Sequence, residues 1–279
     1  MRWLGRKSSD NVEDRRGMGG GGLALGGGLG TVVIVVISLL LGKNPMDFIN
    51  SSQPQATEQA TSEESNQKAK FVGVVLEDSE IIWSKIFKEK LNKEYVEPKL
   101  VLFSGGTQSG CGSATSATGP FYCPLDSKVY IDLTFYDDLQ QKFKAPGEFA
   151  MAYVVAHEVG HHVQNLLGIS DKVREQQQDM SEAEANALSV KLELQADFLA
   201  GVWANYEKNL HNVLENGDIE SALGAANAIG DDRLQKQSQG HVVPDAFTHG
   251  TSAQRVKWFK KGYETGDIDQ GDTFSSDDL

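Results

Sequence analysis

Three residues in segment 156–162 have the types and the spacing of a metal site: His157, Glu158 and His161, in the pattern H-E-x-x-H. Histidines four positions apart lie on one face of an α-helix, so both imidazoles can bind a single Zn²⁺. The glutamate beside the first histidine can then act as general base on a zinc-bound water. The spacing therefore predicts a zinc site with Glu158 as the base.

The motif is short, and a chance match in a metal-free domain is one alternative. Its surroundings favour the metal site, because the helix predicted over residues 148–167 is largely apolar and contains no proline. Two histidines and a glutamate on such a helix need partners, since unpaired polar groups are costly inside a protein. We therefore expect further ligands elsewhere in the chain.

A second helix, predicted from Ala185 to about Tyr206 with Ser181 as its N-cap, supplies them. It carries Glu193 and Asp197, four positions apart and therefore on one face. A catalytic zinc takes three protein ligands and keeps one position open, so we predict His157, His161 and Glu193 as the ligands. Asp197, one turn further on, can accept the N–H of a ligand imidazole and orient it. The alternative, a solvated face, is opposed by the apolar neighbours of both acids.

These strings resemble a known family. H-E-x-x-H followed by E-x-x-x-D on a second helix resembles the gluzincin metallopeptidases. The longer segments 157–165, 193–203 and 247–255 are similar to the bacterial membrane-anchored family of neutral zinc metallopeptidases, and the resemblance covers essentially the whole chain. It implies an α+β fold: a mostly helical zincin-like domain with a small antiparallel sheet, preceded by one N-terminal transmembrane helix.

The resemblance also implies a group that stabilises the oxyanion. In related gluzincins this is a histidine or arginine after the ligand helix, which corresponds here to His249 or Arg255. A salt bridge is the alternative for Arg255, and an ordinary loop position is the interpretation of His241. His162 points about 100° away from His161 on a helix, so we expect it to pack or to make a polar contact.

The N-terminal region predicts a membrane anchor. Residues 23–42 are uncharged, and a helix of about 20 apolar residues spans a bilayer. Five basic residues precede this stretch, which by the positive-inside rule places the N-terminus in the cytoplasm and the catalytic domain in the periplasm or cell exterior. They are Arg2, Arg6, Lys7, Arg15 and Arg16. A cleaved signal peptide and a buried core helix are the alternatives.

The predicted organisation has five segments, and its partners follow from charge and location. They are a basic, glycine-rich cytoplasmic tail (1–22), a transmembrane helix (23–42), a flexible linker (43–70), the zinc metallopeptidase domain (71–266) and an acidic disordered tail (267–279). The net charge of −13 argues against nucleic-acid binding. The expected partners are a peptide or protein substrate and the membrane.

Two further features belong to the domain. Cys111 and Cys123 are the only cysteines, and on the outer side of a membrane we expect a disulfide, with two free buried thiols as the alternative. Residues 128–135 alternate like a strand. In zinc proteases an edge strand pairs with the bound peptide, so this strand is a candidate for that role, or an ordinary half-buried strand.

The sequence thus predicts a membrane-anchored zinc metalloendopeptidase. The competing hypothesis is a catalytically silent, zinc-stabilised binding or scaffold protein of the cell envelope. Glu158 opposes it, because a structural zinc site does not require a base.

Overall fold

The computed structural model describes residues 1–17, 62–276 and 279, and its elements are mostly helical. The helices are α1 (Glu63–Ile86), α2 (Phe135–Gln141), α3 (Glu148–Leu166), α4 (Ile169–Gln177), α5 (Glu182–Tyr206), α6 (Asp218–Ala228), α7 (Asp231–Gln239) and α8 (Ser252–Thr265). The strands are β1 (Val12–Asp14), β2 (Lys99–Phe103), β3 (Gly106–Ser109), β4 (Gly112–Thr115), β5 (Phe121–Cys123) and β6 (Lys128–Asp132). One π-helical turn follows α1 (Phe87–Leu91) and another follows α5 (Glu207–His211).

Helices α3, α5 and α8 form the centre of the core. Helix α5 begins at a capping box, in which Ser181 and Glu184 satisfy each other's backbone N–H groups. Helix α8 crosses α5 at Gly201 and Gly262, where a Cβ on either glycine would overlap the carbonyl oxygen of a residue on the other helix. The two backbones are therefore in direct contact, which fixes α8 closely on the ligand-bearing helix.

The main sheet differs from the expected antiparallel one. Its strand order is β1-β2-β6-β5, with β1 parallel to β2, β2 parallel to β6, and β5 antiparallel to β6. Strands β3 and β4 form a separate antiparallel pair. The mostly helical α+β class is confirmed, whereas the prediction of a purely antiparallel sheet is wrong.

Of the two alternatives for the strand predicted over residues 128–135, the structure favours an ordinary strand over a substrate-pairing edge strand. Strand β6 has β2 on one side and β5 on the other, so its backbone groups are already paired within the sheet. Alternation along a strand shows which face is buried, but it does not show how many neighbours the strand has. Phe135, at the end of the predicted strand, begins α2.

Residues 1–17 are part of the domain, which corrects the boundary predicted at residue 22. Met1 and Trp3 are buried, Trp3 donates a hydrogen bond to Glu148 at the start of α3 (2.9 Å), and β1 pairs with β2. Three of the basic residues that suggested a membrane flank make ion pairs: Arg6 with Asp78, Lys7 with Glu77 and Arg16 with Asp14.

The other two boundaries also shift. Helix α1 begins at Glu63 with Ser62 as its N-cap, so residues 62–70 are helical rather than linker. Residues 267–276 pack on the domain rather than forming a disordered tail: Thr273 is buried, and the backbone oxygen of Gly271 accepts a hydrogen bond from Gln195 (2.9 Å). The predicted transmembrane helix 23–42 lies outside the described residues, and no helix among the described residues is long and apolar enough to cross a membrane.

The disulfide prediction is confirmed, because Cys111 is bonded to Cys123. The bond connects the turn between β3 and β4 to β5. It therefore joins the small hairpin to the main sheet.

Candidate metal centre

Helices α3 and α5 bring the three predicted ligands together. Nε2 of His157 lies 3.1 Å from Oε2 of Glu193, and Nε2 of His161 lies 3.4 Å from Oε1 of the same carboxylate. One donor atom from each residue falls in a group whose members all lie within 4.8 Å of one another. Gly160 permits this approach, because a Cβ there would lie only 3.0 Å from the carbonyl oxygen of Ala196 on α5.

The other ring nitrogen of each histidine is held by a neighbouring acceptor. Nδ1 of His157 lies 2.9 Å from Oδ1 of the fully buried Asp197, as predicted. Nδ1 of His161 lies 2.9 Å from Oε1 of Gln164, whose amide nitrogen donates to the carbonyl oxygen of Leu192. An Nδ1–H that donates to these oxygens leaves Nε2 with its lone pair free to bind a metal.

Asp197 is the centre of a buried polar network. It accepts hydrogen bonds from the hydroxyl of Tyr153 (2.5 Å) and from Nε and Nη2 of Arg255 (2.8 and 3.0 Å). The Arg255 guanidinium also donates to Tyr153. A buried carboxylate is stable only when its charge and lone pairs are matched in this way.

The pKa values of the acidic and histidine side chains in the site are shifted by one another's charges. Burial raises the pKa of Asp197, but the charge of Arg255 and the contact with His157 outweigh it and lower the pKa to about 2. Burial lowers the pKa of His157, but Asp197 and Glu193 outweigh it and raise the pKa to about 10. Burial also raises the pKa of Glu193, yet the nearby histidines bring it well below its usual value. The carboxylates therefore favour protons on the histidines, and a divalent cation bound by His157, His161 and Glu193 would displace those protons.

The donor set fits zinc. Two imidazole nitrogens and one carboxylate are a ligand set of catalytic zinc sites, in which a fourth position stays open. The side chains of His161 and Glu193 are 16% and 18% exposed, so the group can be reached from solvent. Glu158, the predicted base, is 8% exposed and follows His157 directly on α3.

The structure distinguishes His249 from Arg255. His249 is 39% exposed at its side chain, and its positive charge contributes to lowering the pKa of Glu193. Its Nδ1 contacts Oδ1 of Asp231 (3.3 Å) and the hydroxyl of Thr248 (2.9 Å). Arg255 is 2% exposed and is engaged by Asp197. This placement favours an orienting role for Arg255 over contact with a substrate.

Asp231 fixes the loop that carries His249. It is 1% exposed, and its Oδ2 accepts hydrogen bonds from the backbone N–H groups of Thr248, His249 and Gly250 (2.7, 2.6 and 3.1 Å). Burial lowers the pKa of His249, but the charge of Glu193 and the contact with Asp231 outweigh it and raise that pKa. The environment thus favours a protonated imidazole, which is a donor at both nitrogens.

Two other histidines have the structural roles expected of them. His162 is buried, with Nε2 2.6 Å from the carbonyl oxygen of Val96 and Nδ1 3.0 Å from the hydroxyl of Tyr122. His241 is exposed in the loop after α7. The packing role of His162 and the loop position of His241 are both confirmed.

Three functional residues were not anticipated: Tyr153, Gln164 and Asp231. Helical spacing could have indicated the first two, since Tyr153 lies four positions before His157 and Gln164 three positions after His161. Asp231 lies 17 to 19 positions before its partners Thr248, His249 and Gly250, a separation for which the sequence carries no local signal.

The fold and the site define a mostly helical α+β protein that combines H-E-x-x-H on one helix with E-x-x-x-D on a second. The chain belongs to the family described as "Putative neutral zinc metallopeptidase", whose model matches residues 1–274. It is similar to Uncharacterized protein YpfJ of Escherichia coli K12, with 52% identity over 285 residues, covering 98% of this chain and 99% of the relative. It is also similar to Uncharacterized protein Rv2575 of Mycobacterium tuberculosis, with 47% identity over 195 residues, covering 66% of this chain and 65% of the relative. No solved structure gave a significant match.

Proposed function

We propose that this protein is a zinc-dependent metalloendopeptidase that hydrolyses peptide bonds with Glu158 as general base. The observation that carries the proposal is the convergence of His157, His161 and Glu193 from two helices, with Nε2–carboxylate distances of 3.1 and 3.4 Å. The glutamate beside the first histidine is the second support, because a purely structural zinc site does not need it. Membership of the metallopeptidase family supports the same reaction class.

In this mechanism His157, His161 and Glu193 hold the metal. A bound zinc ion supplies Lewis-acid chemistry, lowering the pKa of water and polarising the scissile carbonyl. Asp197 and Gln164 keep both imidazoles oriented with Nε2 toward the site.

The remaining groups move or share protons. Glu158 accepts the proton of the attacking water as the water oxygen bonds to the carbonyl carbon, and it delivers that proton to the amine nitrogen as the C–N bond breaks. His249, held by Asp231, is the group we assign to hydrogen bonding with the oxyanion. Arg255 acts indirectly, by holding Asp197.

We further propose that the protein is attached to the membrane through residues 23–42, with the catalytic domain outside the cytoplasm. The length and apolar character of that stretch support attachment. The disulfide between Cys111 and Cys123 supports an oxidising compartment for the domain. The cytoplasmic N-terminus is not carried into this proposal, because residues 1–17 pack in the same domain as residues 62–276.

The test is a comparison of Glu158→Gln with the wild type and with Glu175→Gln, a matched control at an exposed position on α4. Casein or peptide cleavage should fall by about 10²–10⁴-fold in Glu158→Gln, the range expected for losing a general base. The zinc content should equal that of the wild type in both variants. Undiminished cleavage by Glu158→Gln would refute the mechanism, and a zinc-loaded wild type without cleavage would favour the scaffold hypothesis.

A further inference from the structure

A second group of possible metal ligands lies at the far end of α5. It consists of Asp78 on α1 together with Glu207 and His211 in the π-helical turn after α5. One donor atom from each residue falls in a group whose members all lie within 4.8 Å of one another. Fourteen residues separate Glu193 from Glu207, which at about 1.5 Å per residue places this group roughly 20 Å from the candidate catalytic centre.

The distances suit a single small cation. Nδ1 of His211 lies 3.2 Å from Oε2 of Glu207 and 3.8 Å from Oδ1 of Asp78. Ligand atoms about 2.1 Å from a tetrahedral zinc ion are separated from each other by about 3.4 Å. These two distances bracket that spacing, and the distances at the candidate catalytic centre, 3.1 and 3.4 Å, are similar.

The burial of these carboxylates requires a compensating charge. Glu207 is fully buried, and its Oε1 has no hydrogen-bond partner among the residues that the structure describes. Asp78 is 2% exposed, and both of its oxygens accept hydrogen bonds from Arg6 (2.6 and 2.5 Å). Arg6 therefore satisfies both oxygens of Asp78, and His211 contacts Oε2 of Glu207, so Oε1 of Glu207 remains a buried acceptor without a partner among the described residues, which is costly.

The chemistry of the donors narrows the choice of ion. Imidazole nitrogen favours zinc and neighbouring transition metals over calcium or magnesium, which prefer oxygen ligands. Carboxylates are accepted in the same zinc sites. We propose that Asp78, Glu207 and His211 bind a second divalent cation of the zinc class.

The second group of ligands lies where three parts of the chain meet. It joins α1 to the end of α5, and through Arg6 it also holds the N-terminal segment against both helices. Arg2 extends the same contact, because its backbone N–H donates to the carbonyl oxygen of Val213, two residues after His211 (2.8 Å). The bound ion would stabilise the attachment of residues 1–17 to the domain.

The experiment counts zinc in the full chain by elemental analysis and by titration of the chelator-stripped protein with Zn²⁺ alone. The wild type should bind two ions per chain. His157→Ala, which removes a ligand of the first centre, should bind one, and so should Glu207→Gln or His211→Ala. His241→Ala, which removes an exposed imidazole, should still bind two.

Stability provides the second readout. Zn²⁺ should raise the melting temperature of His157→Ala but not that of His157→Ala combined with His211→Ala, each confirmed as folded by circular dichroism. Glu207→Gln is nearly isosteric and replaces His211→Ala if the latter does not fold. The proposal is overturned if folded His157→Ala binds no zinc. Because that count requires no peptide cleavage, it is independent of the proposed peptidase activity.

Discussion

Replacing Arg255 with methionine tests whether this arginine supports the metal site or contacts the substrate. Methionine is of similar length but removes the two hydrogen bonds to Asp197 (2.8 and 3.0 Å) and the one to Tyr153 (3.1 Å). Asp197 is fully buried, so the substitution leaves an uncompensated carboxylate in the core. Removing one partner of a buried ion pair costs about 3–5 kcal/mol.

The effect of Arg255→Met can be measured on two quantities, the free energy of unfolding and the zinc affinity. The free energy of unfolding of the zinc-free protein should fall by about 3–5 kcal/mol, which at about 2–4 °C per kcal/mol for a domain of this size lowers the melting temperature by roughly 6–20 °C. Zinc affinity should fall by about 10–100-fold, the usual effect of losing support behind a ligand histidine. Urea unfolding measures the first quantity, and competition with a chromophoric chelator measures the second.

The controls separate this reasoning from its alternative. Arg233→Met, at an exposed position on α7, should change neither quantity. The double variant Arg255→Met, Asp197→Asn should lose less unfolding free energy than the two single variants lose in total, because the neutral amide no longer needs a cation. If Arg255→Met lowered cleavage but left stability and zinc affinity unchanged, the orienting role would be contradicted. The result would instead favour direct contact between Arg255 and the oxyanion.

Three further predictions concern the scaffold. Gly201→Ala should destabilise the protein by about 1–3 kcal/mol, because the new methyl overlaps the backbone of α8, whereas Gly224→Ala, in open space on α6, should be neutral or stabilising in the same urea titration. Hydrogen bonds from Lys128, opposed by burial, lower the pKa of Glu13 to about 2. Its contribution to stability is complete above the ordinary pKa of 4.5 and is lost as the pH falls toward 2, so Glu13→Gln should flatten the acid limb of the urea midpoint measured from pH 6 to pH 2. Finally, Arg16 contacts Ser65 (2.8 Å), so the described residues on either side of segment 18–61 lie close together. Replacing residues 18–61 by a short glycine–serine linker should therefore preserve circular dichroism and zinc binding; loss of either would show that the excised segment is needed for folding.

The sequence predicted the metal centre better than the sheet or the N-terminus. His157, His161, Glu193 and Asp197 were found because helical spacing is local and each pair lies on one helix. The role of Arg255 depended on a partner 58 residues away, which no local pattern indicates. The same limit applies to Asp231.

The errors have a common physical origin. Basic residues before an apolar stretch satisfy the positive-inside rule, but they serve equally well in ion pairs with Asp78 and Glu77. The pairing of β1 with β2 joins Val12 to Leu100, with the whole of α1 between them in the sequence. Long-range parallel pairing leaves no periodic signal in either strand, so neither the sheet order nor the N-terminal strand could be read from the chain.

The docking of the N-terminus has a consequence for biogenesis. The partners of this segment lie far along the chain: the α-ammonium of Met1 pairs with Asp218 (2.8 Å), and Trp3 donates a hydrogen bond to Glu148 (2.9 Å). Contacts of such high sequence separation slow folding, so a nascent chain remains open until most of it has been synthesised. A chain that stays unfolded during translation remains suitable for threading through a translocation channel. If the proposed location outside the cytoplasm is correct, the candidate metal centre would then assemble only after delivery.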